Sequence, residues 1–408
     1  MRFTFIHAAD LHIDSPLAGL RLKDEDVARR FANAGRRAVE TLIAETIASE
    51  AAFLIIAGDV FDGNWKDVTT GLFFVRAISA LHRAGIPTFI VKGNHDAESL
   101  MSRDLAYPDT VNVFPSNKAA TIALDAYRVA LHGRSFPNRL TAEFVETYPA
   151  RRDGWLNIGV LHTSLDGTRG HDGYAPCTVD DLKRFGYDYW ALGHIHAAEI
   201  VHRDPWIVFP GNLQGRSIRE TGVKGAVRVS VEDGKIVEVT PLALDGARWA
   251  HLTLDMTDTE NEDDVVTRIA DRLVDAHHEA EGRPHAIRVT LTGATTLHNQ
   301  LVARRETLEG DIRARAFQLG DDCWVEQLKV KTTLPPRPAA ALSSAEILDL
   351  DQMLDTATED PKFAVMLAEL IETVKAKLPK DLQDDLLVSD LQKALAVEAR
   401  ALLSGALS

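Results

Sequence analysis

The sequence predicts an α/β protein. Its larger part is two β-sheets packed face to face and flanked by helices, followed by a small α+β domain and a helical tail. Three observations carry this expectation. Apolar, β-branched runs alternate with amphipathic helical stretches through the first hundred residues, the order that builds a parallel sheet with right-handed crossovers. Short strands paired around turn residues recur between Thr121 and Val239. Asp, Asn and His stand just beyond several strands, where open α/β sheets place their chemistry.

The elements follow in order. Residues 3–7 read as a first strand, running directly into Asp10-Leu11-His12. A helix with a break near Gly35 is expected over 22–50, from the spacing of Val27, Phe31, Val39, Leu42, Ile43 and Ile47. Residues 53–57 form a second buried strand, ending in Gly58-Asp59. A helix follows with Val68, Leu72, Val75, Ile78 and Leu81 as its buried stripe. The run 86–91 is a third strand, and Gly93 lets the backbone turn so that Asn94 and His95 project from its end. A hairpin is expected at 121–131 around Asp125-Ala126, then strands at 156–161 and 187–192 ending at His162 and at Gly193-His194-Ile195-His196. Hairpins at 198–209 and 227–239 complete this part, residues 1–245. Residues 246–332 read as a β-α-β-α-β domain, 333–342 as a Pro-rich, semi-rigid linker, and 343–408 as a helical region. In the second domain, His277 and His278 fall on different helix faces and do not form a ligand pair.

A chain of 408 residues exceeds what one core usually organises. Cys177 and Cys323 lie far apart in different domains and fit a reducing compartment better than a disulfide framework. The start is too short and too alternating for a signal peptide, and no run approaches membrane-spanning length, so the expectation is a cytoplasmic protein without a membrane partner. A formal charge of -15 excludes non-specific nucleic-acid binding through the bulk surface, though not a local basic groove or a metal site.

Candidate chemistry collects at the strand ends: Asp10, His12, Asp59, Asn94, His162, His194 and His196, with His95 beside them. Singly, each has an ordinary structural reading, as a turn residue or a hydrogen-bonded polar group. Together, mixed oxygen and imidazole donors without cysteine suit manganese, iron, zinc or nickel. One Asp shared by two ions, with three further ligands on each, fills a two-metal site with ions roughly 3.5–4 Å apart. Arg216, Arg219 and Lys224 read equally well as a positive rim for a phosphate backbone and as a solvated loop whose charge Glu220 lowers. Asp14, Ser15 and Arg134 are candidates to support the site.

In this order, Asp-x-His, Gly-Asp-x-x-Asp, Gly-Asn-His-Asp, a single His after a strand, and Gly-His-x-His resemble the calcineurin-like metallophosphoesterases. Residues 7–17 and the stretch Pro210-Gly-Asn-Leu-Gln-Gly-Arg-Ser-Ile-Arg-Glu-Thr-Gly resemble the bacterial DNA repair exonuclease branch, the SbcD and YhaO-like proteins. The resemblance implies that Asp10, His12 and His196 hold one ion, Asn94, His162 and His194 the other, and that Asp59 bridges them. It implies two divalent ions, manganese in relatives of this type, and His95 as general acid or phosphate-orienting group. The substrate implied is DNA, with Arg216 a contact to it. The partners implied are an SbcC-like ATPase, docked by the C-terminal helices, and a second copy of the chain. Archaeal and eukaryotic nuclease relatives commonly carry His where Asp62 stands here. Asp62 reads at least as well as a cap of the following helix. A small-molecule phosphodiesterase or phosphatase is the first alternative; a largely non-catalytic ATPase subunit is the second. The resemblance also implies that the domain at 246–332 caps the active site; for the tail, packing back on this capping domain stands level with docking.

Overall fold

The computed structural model describes residues 1–15, 31, 33–62, 68–98, 105–137, 145–165, 175–335 and 360–375. It divides into two units, Met1–Trp249 and Ala250–Ser408.

The first unit contains β1 (Arg2–Ala8), β2 (Leu54–Ala57), β3 (Thr88–Val91), β4 (Val111–Val113), β5 (Ala120–Leu124) and β6 (Val129–Gly133). Six more strands follow: β7 (Leu156–His162), β8 (Tyr189–Gly193), β9 (Glu199–Arg203), β10 (Trp206–Phe209), β11 (Gly225–Glu232) and β12 (Lys235–Ala243). They form two six-stranded sheets, ordered β12-β11-β1-β2-β3-β4 and β5-β6-β7-β8-β10-β9. The strands β1 to β4 run parallel, and so do β6, β7, β8 and β10. The expected two-sheet architecture is therefore the observed one.

Alternation along β1 shows why the sheets stack. Phe5 faces the other sheet and Ile6 faces the helices, because successive strand residues point to opposite sides. Phe5 stacks on Phe53 at 4.8 Å and meets the edge of Tyr189 at 5.5 Å, which fills the space between the layers. Outside the first sheet, the helices Ala34–Ala48 and Val68–Arg83 cover Ile6, Leu54, Ile56 and Ile90 with Leu42, Phe74 and Ile78. Outside the second, Trp190 and Leu161 pack with Tyr187 and Leu182.

Several elements differ from expectation. In the helix Val68–Arg83 the buried residues are Thr70, Gly71, Phe74, Ile78 and Leu81, while Val68 and Leu72 are exposed. Phe74 sets that rotation by packing edge-on against Phe61 at 5.6 Å and Tyr107 at 6.1 Å. The edge strand β4 was not read from the sequence. The pair β9 and β10 is antiparallel, but β10 also inserts beside β8, so the hairpin extends the sheet instead of only closing it. Before Phe31, the helix expected from residue 22 lies outside the described residues.

The second unit has a three-stranded sheet, β13 (Arg248–Asp255), β14 (His285–Thr292) and β15 (Cys323–Val330), in that order. Its helices are Glu262–Glu279, His298–Ala303 and Arg305–Leu319, so the second helix of the expected β-α-β-α-β order is two. Their core includes Leu254, Ile269, Leu273, Val289, Ile312 and Val325. The expected linker beyond 335 and most of the helical region expected over 343–408 lie outside the described residues. A tail helix, Pro361–Lys375, is described, and its Val365, Met366 and Leu370 are exposed. Among the described residues, no helix is long and apolar enough to cross a membrane.

Candidate metal centre

The parallel strands of both sheets end along one edge of the first unit. Beyond β1 the chain continues beside the turn after β2, with Asp10 N–H bonded to Gly58 O at 3.0 Å and His12 N–H to Asp59 O at 3.1 Å. This brings the Asp-x-His and Gly-Asp segments side by side. Asp10, His12, Asp59 and His194 all have positive φ, of 51°, 40°, 51° and 100°. Such conformations cost roughly 1–3 kcal/mol each and persist where the surroundings hold them.

Two groups of donors result. Asp10, His12 and His196 bring one ligand atom each within 4.8 Å of one another, and so do Asp59, His162 and His194. Asn94 joins the second group, its Oδ1 3.0 Å from His162 Nε2. Asp59 Oδ2 faces both groups, 3.3 Å from His162 Nε2 and 3.9 Å from His12 Nε2. A bond from the His194 backbone N–H to Asp10 Oδ2, 2.8 Å long, ties the groups together. The structure thus gathers all seven predicted donors.

The tautomers test whether these residues fit cations. His12 Nδ1 lies 3.1 Å from Asp62 Oδ1, and His196 Nδ1 lies 2.7 Å from Glu220 Oε1. With a proton on each Nδ1, the two Nε2 lone pairs face one another across 3.3 Å. Two lone pairs at that distance repel unless a cation accepts both. Carboxylates behind the imidazoles are the usual support for metal-bound histidine. His162 is arranged alike: Nδ1 donates to Ala57 O at 2.9 Å, and Nε2 points at two oxygens, Asn94 Oδ1 and Asp59 Oδ2. The donor set therefore fits metal ions.

Electrostatics agree. Burial raises the Asp59 carboxyl, but His162, and after it His12 and His95, outweigh burial and hold it well below the usual carboxylate range. In the same pair, burial lowers His162, while the Asp59 charge and hydrogen bond lift it to about 9, so a bound cation must replace that proton. Burial and the Arg216 charge keep His12 below its ordinary value. Glu220 and Asp62 stay ionised: burial opposes this, and the bonds to His196 and His12 together with Arg216 overcome it.

The predicted catalytic His95 lies at the N-terminus of the short helix Asn94–Glu98. Its backbone N–H donates to Asp59 Oδ1 at 2.9 Å, and its Nδ1 lies 3.6 Å from Asp62 Oδ1. The next residue, Asp96, accepts N–H bonds from Val60, Phe61 and Gly93, locking two of the loops together. Arg216 is 3.6 Å from Asp62 and 3.3 Å from Glu220, so the site holds its guanidinium at the rim.

Sequence reasoning undervalued two residues. Asp62, which the sequence also allows as a cap of the following helix, turns its carboxylate to His12, His95 and Arg216. Glu220, counted only as a charge, accepts from His196, Asn212 and the Arg216 backbone. Its place within the 210–222 motif was the available signal. Ser15 bonds Asp62, and Asp14 pairs with Arg36 and Thr70. Arg134 bonds Ser116 and Thr147, neither of them a donor. Lys224 bonds His196 O at 3.0 Å and serves the backbone beneath the site more than an outer rim.

Comparison with known proteins agrees with this geometry. A family model described as calcineurin-like phosphoesterase matches residues 3–198, and one described as metallophosphoesterase YhaO, middle domain, matches 249–333. An "Uncharacterized metallophosphoesterase YhaO" of Bacillus subtilis is 33% identical over 324 residues, 78% of each chain. Two proteins named "DNA double-strand break repair protein Mre11" are each 27% identical. That of Methanopyrus kandleri aligns over 50% of this chain and 48% of its own; that of Aeropyrum pernix aligns over 54% and 56%. The chain thus spans about half the length of these Mre11 relatives. Given a third of its residues identical to the Bacillus relative across most of both chains, this protein belongs to the calcineurin-like phosphoesterase family.

Proposed function

We propose that the chain is a metal-dependent phosphodiesterase acting on DNA, an exonuclease in DNA repair that works with two manganese ions. Family membership supplies the coarser part, hydrolysis of phosphoric esters. The observation that supports a two-ion centre is Asp59 Oδ2, one carboxylate oxygen facing His162 on one side and His12 on the other. Asp10, His12 and His196 would hold one ion and Asn94, His162 and His194 the other, with Asp59 placed to serve both. Bound there, two divalent ions supply an activated hydroxide and neutralise charge on the attacking and leaving oxygens.

The chain's own groups do the remainder. Asp62 and Glu220 fix the rings of His12 and His196 with their Nε2 atoms inward. Asp59 anchors the His95 backbone, and Asp62 Oδ1 lies 3.6 Å from His95 Nδ1. The half-exposed ring then orients a phosphate oxygen or protonates the leaving oxygen. Arg216 reaches the phosphate from the rim. The names of the Mre11 relatives support DNA as the substrate. The exposed Val365, Met366 and Leu370 of the tail helix support docking to an SbcC-like ATPase. A small-molecule phosphodiester is the second reading, favoured by the charge of -15 and by the carboxylates that engage Arg216.

Labelled single- and double-stranded DNA, incubated with the protein and manganese beside a bis-phosphodiester dye, tests this. Cleavage of DNA that His95→Ala reduces by about 10²–10⁴-fold, the usual worth of a positioned acid, supports the proposal. Turnover of the dye alone, with DNA intact across metals and ends, replaces it with the small-substrate reading.

A further inference from the structure

We propose that the second unit holds a separate zinc site formed by His277, His285 and Cys323. Each offers one ligand atom, and the three atoms lie within 4.8 Å of one another. They come from three elements. His277 is in the last turn of the helix Glu262–Glu279, and His285 and Cys323 are register partners at the starts of the parallel strands β14 and β15. The sequence reading weighed His277 only against its neighbour His278, which is exposed and whose ring is 6.2 Å away. The fold brings His285 to it from eight positions further on, with ring centroids 5.2 Å apart.

Two further observations point to a ligand. His285 Nδ1 lies 3.0 Å from Arg283 O and donates to it, which leaves the Nε2 lone pair to face the cluster. His277 Nδ1 is buried without a hydrogen-bond partner among the described residues. An imidazole nitrogen kept from water and from a partner carries a desolvation cost of about 1–3 kcal/mol, which a coordinated ion removes. The helix C-terminus adds its own preference for positive charge.

The donor chemistry selects the metal class. Two imidazoles and a thiolate suit zinc, whereas the first site mixes oxygen and imidazole donors and has no sulfur. Tetrahedral zinc with bonds of about 2.0–2.3 Å places donors roughly 3.3–3.8 Å apart, so closure asks for side-chain shifts of about 1 Å. Water completes the fourth position. Burial pushes the Cys323 thiol up to about 11 in the metal-free chain, so binding must release that proton to solvent. The ion then clamps the helix end to two strand starts in a three-stranded unit with a small core.

The test uses the full chain, stripped with chelator and titrated with cobalt(II). A thiolate–cobalt charge-transfer band in the near ultraviolet reports this site alone, because the donors of the first site include no sulfur. The expected result is a band that saturates at one ion per chain, is displaced by zinc, persists in Asp59→Asn and disappears in Cys323→Ser. Should Cys323→Ser fail to fold, His277→Ala, at a partly exposed helix position, decides: the band is lost or the titration weakens at least about tenfold, the least that even an outer metal partner contributes. No band at saturating cobalt, or a band that survives both substitutions and therefore comes from Cys177, overturns the proposal. Loss of phosphoesterase activity with the band intact would count against the first site only.

Discussion

At the residue scale, carboxylates outside the donor set hold its histidines: Asp62 lies 3.1 Å from His12 Nδ1 and Glu220 2.7 Å from His196 Nδ1. Asp10, His12, Asp59, Asn94, His162, His194 and His196 each stand at the end of a strand or within four residues beyond it, so a linear reading finds them. Asp62 and Glu220 act through space on histidines 50 and 24 positions away, a relation that only the fold creates. Glu220→Gln tests this support. The amide keeps the size but loses the charge that favours a proton on His196 Nδ1. Metal affinity should fall about 10–100-fold, with turnover near the parent's once metal saturates. A metal titration of dye hydrolysis reads both parameters, and an unchanged midpoint would remove Glu220 from the metal support. His7 offers a stability test outside the site. Tyr189 OH and Leu192 O hold its two nitrogens, and burial pulls its pKa down to about 3. An imidazole depressed in the folded state stabilises fully above its unfolded value of about 6.5 and loses that contribution as the pH falls toward 3. Between pH 7 and pH 5 this amounts to about 2 kcal/mol. His7→Gln offers a donor and an acceptor without titrating, so urea unfolding at those two pH values should differ by correspondingly less than in the parent.

At the scale of elements, strands were more legible than helix rotation. A buried strand announces itself by a continuous apolar run, and β2 and β3 do so. The helix Val68–Arg83 carries apolar residues on more than one face, and the burial of Phe74 against Phe61, a contact across the fold, decides which face turns inward. Strand β4 has three half-buried residues, too few for a periodic signal. The turn after β3 shows why glycine matters at Gly93. A Cβ there would lie 2.2 Å from Asp59 Oδ1 and 2.8 Å from the Asp59 backbone nitrogen, so neither rotation nor a small shift of the carboxylate admits it. Gly93→Ala should displace the Asp59 carboxylate while both sheets persist. The expected outcome is an unchanged far-ultraviolet circular dichroism spectrum, fewer bound ions per chain, and a rate lower by at least about 10²-fold, as a misplacement of about 1 Å can cause. Full metal content and activity in this variant would show that Asp59 does not need its observed place.

At the scale of the whole molecule, each of the two units encloses a core of its own, and a β-α-β-α-β pattern follows the last hairpin in the sequence. The zinc cluster was not legible, because its donors belong to three elements and meet only in the folded unit. Charge is the property that bears on the proposed substrate. A protein that grips DNA through many cations releases counterions on binding, and six to ten phosphate contacts lose about 10³–10⁵ in affinity between 50 and 200 mM salt. This chain carries -15, and Arg216 at its candidate site already faces Asp62 and Glu220. Divalent ions held by buried donors must then supply most of the attraction for a phosphate, and salt screens such buried charges weakly. For DNA cleavage at saturating manganese, kcat/KM should therefore change by less than about tenfold over that salt range. The bis-phosphodiester dye, which is too small to reach a distant groove, should show a similar dependence. A steep loss with DNA and a flat response with the dye would mean that clustered Lys and Arg away from the metal centre bind the strand. The two curves measured together thus separate recognition at the metal centre from recognition along an extended surface.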